Sequence, residues 1–256
     1  MNYMTDGRRL ISASVDGTAK IWDTNNGQAI DTLQGVHDFK VYNVAVNDAM
    51  TQAVTVGGSD KKIVLWDLRN TRQPLLVNTD SQSSVISCDF SNDQQSVITG
   101  NLGGRIGIID LATREWRVDY DTLVLQPDLE IENYGYAVKS VRNHPAQGNV
   151  FIYSSTIGIP NVILYESWHA EPLQRLETIA CYFGHKAAIR HCEFSPDCSK
   201  MISCCADHSM RLWDSESTQC MKILAGHTDI CTRAIWLNEN IIVSGSWDCK
   251  IMLWNI

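Results

Sequence analysis

Surplus positive charge is missing from this sequence: 21 Lys and Arg stand against 29 Asp and Glu in 256 residues, giving a formal charge of −8 and a pI near 5.3. Proteins that grip nucleic acid do so largely by releasing phosphate counterions with a basic surface. Direct nucleic-acid binding is therefore not expected. No apolar run approaches the roughly 20 residues that a membrane-spanning helix needs. The opening "MNYMTDGRRL" also lacks the apolar core of a signal peptide. No N-x-[ST] sequon occurs, and none of the nine cysteines forms a C-x-x-C pair. These absences exclude membrane partners and point to buried free thiols in a reducing compartment, cytoplasmic or nuclear.

Catalytic signatures are absent too. There is no G-x-x-x-x-G-K-[ST] loop, no G-x-S-x-G elbow and no H-E-x-x-H pair. "GNLGGR" from Gly100 reads as strand, turn, strand, which does not cradle a phosphate at a helix start. Cys181, His185, His191 and Cys192 lie close in sequence, but His191 and Cys192 are neighbours on a strand and point to opposite faces. The doublet Cys204 and Cys205 fails as a metal site for the same reason. No metal, cofactor or enzymatic activity is expected, since no titratable cluster at catalytic spacing can be assembled.

What the chain has in quantity is self-similarity. "VSGSWDCKIMLWNI" from Val243 has plain relatives in "ISASVDGTAKIWDT" from Ile11, "VGGSDKKIVLWDL" from Val56 and "ISCCADHSMRLWDS" from Ile202. Worn copies are "ITGNLGGRIGIIDL" from Ile98, with Gly103 and Ile109 in the Asp and Trp places, and "YSSTIGIPNVILYES" from Tyr153, with Tyr165 for Trp. The copies end at Asp23, Asp67, Asp110, Glu166, Asp214 and Asn255, in steps of 44, 43, 56, 48 and 41 residues. That makes six units. Within each, β-branched and apolar residues alternate with small or polar ones between Gly, Asn and Asp turns, the pattern of a small antiparallel sheet. One such sheet cannot cover both its faces; several packed face to face can.

On these residues the chain resembles the WD-repeat β-propeller family, over essentially its whole length. The resemblance implies an all-β fold of six recognisable blades in a single domain, 1–256. It also implies a buried hydrogen-bonded tetrad in each intact blade: His185, Ser203, Asp207 and Trp213, then His227, Ser244, Asp248 and Trp254. A buried imidazole, hydroxyl, carboxylate and indole N–H each need a partner, and together they supply one another. The first unit keeps Ser12, Asp16 and Trp22 without the Gly-His pair, and the second has His37, Asp60 and Trp66 with Thr55 one place off the spacing.

Two blades read as incomplete. The last unit supplies strands from Cys231, Ile241 and Lys250 and no outermost strand, while "YMTDGRR" from Tyr3 aligns with only the tail of an innermost one. The expectation is a shortened form of a longer, seven-bladed ring; the alternative is a six-bladed ring closed by Met1 to Met4. A second chain or a strand donor could complete such an open seam. One insertion breaks the rhythm: the acidic stretch at about 118–136, with Asp119, Asp121, Asp128, Glu130 and Glu132, reads as a solvated loop extension or else a partner-docking arm.

The family resemblance also places a binding face on the residue before each first strand and the residue before each turn Asp. Here these are Lys40, Ala188 and Ile230, and Val15, Ser59, Ala206 and Trp247. Trp247 is either a binding anchor or a ring packed on the neighbouring blade. Trp66-Asp67-Leu68-Arg69 alone ends W-D-x-R, resembling the box of cullin-type ubiquitin ligase substrate receptors, in which Asp67 and Arg69 would touch the adaptor. The function expected is therefore a non-enzymatic protein–protein interaction scaffold binding proteins or peptides; the alternative is such a substrate receptor.

Overall fold

The computed structural model describes residues 2–78, 81–121, 137–147, 150–156, 161–165 and 176–256. Among them the strands form six antiparallel sheets. The first contains β1 (Asn2–Tyr3), β2 (Arg9–Ala13), β3 (Ala19–Asp23) and β4 (Ala29–Leu33). The second contains β5 (Val41–Val46), β6 (Gln52–Gly57), β7 (Ile63–Asp67) and β8 (Asn70–Asn78). The third runs through β9 (Val85–Phe90), β10 (Ser96–Asn101), β11 (Arg105–Asp110) and β12 (Trp116–Asp121). The fourth has β13 (Val138–Asn143), β14 (Val150–Ser155), β15 (Asn161–Tyr165) and β16 (Leu176–Cys181). The fifth has β17 (Ile189–Phe194), β18 (Lys200–Cys205), β19 (Ser209–Asp214) and β20 (Cys220–Ala225). The sixth holds three strands, β21 (Cys231–Asn238), β22 (Ile241–Ser246) and β23 (Ile251–Asn255).

The first sheet thus has its fourth strand, although β1 contributes two residues, paired Asn2 to Ile11 and Tyr3 to Leu10. Among the described residues no strand pairs with the outer edge of β23, whose Ile251 and Leu253 are exposed. Asp119 and Asp121 of the acidic stretch belong to β12, while Asp128, Glu130 and Glu132 lie outside the described residues.

The sheets fall into two compact units, Met1–Tyr120 and Asp121–Ile256. Within each unit, successive sheets stack face to face, so the second strand of a sheet is buried on both faces. This is why β6, β10, β14 and β18 are buried almost from end to end, with no regular alternation of buried and exposed positions. Successive side chains then feed different cores. In unit one, Val64 and Trp66 join Ile11, Ile21 and Leu33 of the first sheet, whereas Ile63 and Leu65 join Val85, Phe90 and Ile109 of the third. In unit two, Met201 packs with Val150, Ile152 and Trp213, and its neighbour Ile202 packs with Leu212, Cys231 and Ile242. Full burial of a Leu or Ile side chain contributes about 1.5–3 kcal/mol, so these inter-sheet layers supply most of the driving force.

The third sheet shows how a blade manages without the tetrad. Ile109 occupies the Trp place and is buried with Val97 and Phe90, while Thr99 donates to the Gly107 carbonyl at 3.3 Å. With Gly103 and Ile109 in the Asp and Trp places and Thr99 satisfied by a backbone carbonyl, the blade avoids a half-satisfied side-chain network. The side chain of Tyr165, in the Trp place of the fourth sheet, lies outside the described residues.

Candidate functional site

In the fifth sheet the indole Nε1–H of Trp213 donates to Ser203 Oγ at 2.8 Å, Ser203 lies 2.7 Å from His185 Nε2, and His185 Nδ1 lies 3.1 Å from Asp207 Oδ2. The sixth repeats this with Trp254 to Ser244 at 2.8 Å, Ser244 to His227 at 2.7 Å and His227 to Asp248 at 2.8 Å. An indole can only donate, so the chain has one sense: Trp N–H to the hydroxyl, hydroxyl O–H to Nε2, and Nδ1–H to the carboxylate. Gly184 and Gly226 precede these histidines because the space is taken. A Cβ on Gly226 would sit 2.9 Å from Trp254 Cη2.

The Asp of each set has two tasks. Its Oδ1 accepts the N–H two residues on, at Thr18, Lys62, Ser209 and Lys250, closing the turn. Its Oδ2 also accepts the N–H of the residue after the His, at Asp38, Lys186 and Thr228. The carboxylate therefore ties the hairpin turn to the loop from the preceding sheet. Burial opposes the Asp207 charge, but the donors Ser209, His185 and Lys186 outweigh it and hold the carboxyl well below its usual range. Burial pushes His37 and His185 down, against their carboxylate partners. In the first sheet Trp22 donates to Ser12 at 2.8 Å, and Asp16 serves only its turn.

Thr55 joins the second tetrad despite its spacing. It accepts from Trp66 Nε1 at 2.8 Å, lies 2.8 Å from His37 Nε2, and His37 Nδ1 lies 2.9 Å from Asp60. The extra residue is Ser59, held in the turn beyond the ladder. Gly57 bonds across to Lys62, where Ser14 bonds Thr18 and Ser246 bonds Lys250.

At this same end, a backbone stitch joins the residue before each first strand to the turn. The carbonyls of Lys40, Ala188 and Ile230 accept the N–H groups of Gly58, Ala206 and Trp247, and those of Ser84 and Ala137 accept Leu102 and Thr156. In the second sheet the paired position is therefore Gly58. Ser59, assigned to the binding face by counting back from Asp60, is shifted off that position because it is the inserted residue. A Cβ on Gly58 would overlap the Tyr42 ring.

The stitch exposes a feature that composition does not announce. Two residues after each pre-strand residue the pairing register slips, at Tyr42, Ile86, Lys139, Arg190 and Thr232. Each is a β-bulge, which turns a side chain out of the ladder. Tyr42 is 52% exposed, and the other four are half-buried.

Trp247 combines the two readings of its ring. It is 60% exposed, yet the Arg190 guanidinium of the neighbouring sheet stacks over it at 5.5 Å. Lys40 and Ser59 are exposed, while Ala188 and Ile230 are half-buried. Far from this cluster in sequence, the Arg69 guanidinium forks onto Asp67, Nε to Oδ1 at 2.8 Å and an Nη to Oδ2 at 2.7 Å, with its side chain 73% exposed. Hydrogen bonds from Arg69 lower the Asp67 carboxyl to about 2.

Among the described residues one group could gather round a metal ion: His185, Cys205 and Asp207, with ligand atoms within 4.8 Å of one another. Both imidazole nitrogens of His185 already have partners, and burial pushes the Cys205 thiol up to about 12, against the thiolate a metal needs. The group fits a hydrogen-bond network better than a metal centre. No helix among the described residues is long and apolar enough to cross a membrane.

The family model described as "WD domain, G-beta repeat" matches residues 1–23, 176–214 and 218–255. The chain is 27% identical over 261 residues to the human pre-mRNA-processing factor 17, covering 99% of this chain but 42% of that protein. It is 25% identical to eukaryotic translation initiation factor 3 subunit I of Debaryomyces hansenii (96% of this chain, 70% of that one) and 24% identical to the serine-threonine kinase receptor-associated protein of Dictyostelium discoideum (96% and 76%). It thus spans less than half the length of pre-mRNA-processing factor 17. With its tetrads, its four-stranded antiparallel sheets and these matches together, the chain is similar to WD-repeat proteins, carries WD-type repeats over the matched residues and has the all-β sheets expected of that fold.

Proposed function

We propose that this chain is a non-enzymatic protein–protein interaction scaffold that presents the face built by its turn and bulge residues to peptide or domain partners. The observation carrying this reading is the division of labour at that end of the sheets. The tetrads and stitches consume the polar groups that hold the turns, leaving Tyr42 and Trp247 exposed and the other bulge residues half-buried at that end of their sheets. A preorganised surface with an aromatic anchor loses little entropy on binding. That the relatives are named as a pre-mRNA-processing factor, a translation initiation factor subunit and a receptor-associated protein agrees with work done inside assemblies. Trp247→Ala is expected to weaken capture of partners from an extract without changing the melting temperature; undiminished capture would overturn this use of the face.

A second reading is favoured by the Asp67–Arg69 pair, a preformed charged corner at the end of β7. It would serve as the adaptor contact of a cullin-type ubiquitin ligase substrate receptor. Arg69→Glu would set two carboxylates side by side, and loss of an adaptor from pull-downs would be the expected result; retention of every adaptor would remove the reading.

A further inference from the structure

Two cations sit together on unit two with no acid to answer them. Lys139 of β13 and Arg190 of β17 occupy the same bulge position on adjoining sheets, and both are half-buried. Among the described residues no carboxylate pairs with either. The Arg190 Nε is buried and makes no hydrogen bond, and its guanidinium plane lies over Trp247. Burial, and then the Arg190 charge, push the Lys139 ammonium below its ordinary range. Like charges held together out of water raise the energy of the free protein. Proteins retain such pairs where something else supplies the opposite charge. In a chain whose net charge is −8, the lack of a neighbouring carboxylate is a specific feature of this corner.

We propose that the corner formed by Lys139, Arg190 and Trp247 binds an acidic segment of a partner protein, with Asp or Glu carboxylates on the two cations and an adjoining apolar side chain against the indole. The proposal rests on the scaffold reading above and names the class of partner. The guanidinium is already oriented by the ring, so a carboxylate would meet a fixed fork and not a mobile one. Binding would also relieve the repulsion between the two cations.

The test is fluorescence anisotropy with a labelled Glu-rich peptide carrying one Leu, its Gln-for-Glu counterpart, and the full chain in four forms: unaltered, Lys139→Gln, Arg190→Gln and Lys222→Gln. Lys222 is an exposed cation on outer strand β20 and serves as the control. The expected result is binding of the Glu peptide alone, weakened at least about tenfold by each of the first two changes and not by the third. Because each substitution removes one of two opposed charges, melting temperatures should hold or rise. Equal affinity of all four forms, equal binding of the Gln peptide, or no binding would overturn the proposal; so would a fall in melting temperature in both corner variants, which would mark the cations as structural. If partner capture depends on Trp247 but not on Lys139 or Arg190, the binding face stands and its acidic ligand does not. If capture survives Trp247→Ala, the scaffold reading itself has failed.

Discussion

Ser203 illustrates how much one hydroxyl can hold. Its oxygen takes the Trp213 indole N–H and its proton serves His185 Nε2, both in a buried setting. Ser203→Ala would leave two buried polar groups without partners, a loss of about 1–3 kcal/mol. Ser12 accepts only from the half-buried Trp22, so Ser12→Ala is expected to cost about 1 kcal/mol or less. Urea unfolding of the two variants checks the ordering; equal losses would mean that the histidine arm contributes nothing. The tetrads are expected from the sequence through the family resemblance, which rests on Gly-His pairs, turn Asp residues and strand Trp residues recurring at a similar spacing. Thr55 looked displaced only because distance along the chain counts turn residues that the ladder ignores.

The hairpin turns carry a second regularity. The residue after each turn Asp has positive φ: Gly17 at 85°, Lys61 at 56°, His208 at 68° and Cys249 at 63°. Only the first is a glycine, the residue that adopts this region without steric cost. His208→Gly and Cys249→Gly should therefore each raise stability, by about 0.5–1 kcal/mol, measured as a shift in the urea midpoint at constant slope. A loss in both would mean that the side chains make contacts outweighing the strain. At this scale the sequence was less transparent. The bulges at Tyr42, Ile86, Lys139, Arg190 and Thr232 share no residue type. They arise from how paired strands slip against one another, and the slip shows only when both strands are in place. The worn third blade was visible as a lost pattern, but its remedy, Ile109 packed against Val97 and Phe90, needed the fold to bring those residues together.

For the molecule as a whole, acid is the condition to watch. His37, His185 and His191 all take up a proton less readily than a free imidazole, whose value is 6.5, because burial opposes their charge; for the fully buried His191 the Arg233 and Arg142 cations add to it. The unfolded chain therefore binds more protons than the folded one just below pH 6.5, and stability must fall as the pH drops through that value. The tetrad explains the structural side: a protonated His185 would donate from both nitrogens, and Ser203, already accepting from Trp213, would lose the acceptor for its own proton. The carboxylates Asp207 and Asp248, held low, contribute undiminished until near 3.8, the ordinary value. Melting temperatures at pH 7.5, 6.5 and 5.5 should decline in that order by this sign; a flat or rising series would contradict it. The all-β class was legible from the repeats and their strand alternation, and the WD type from the Gly-His, Asp and Trp residues that carry the family resemblance.

The bulges have a consequence for how such a surface can change. Tyr42, Ile86, Lys139, Arg190 and Thr232 stand where the ladder makes no demand on side-chain identity, and the turns beneath them are fastened by backbone stitches and a different set of residues. Under the scaffold reading proposed above, recognition and folding draw on separate residues of the same strands. Exchanging the bulge residues of either unit is then expected to alter what that unit binds while leaving the core beneath it intact.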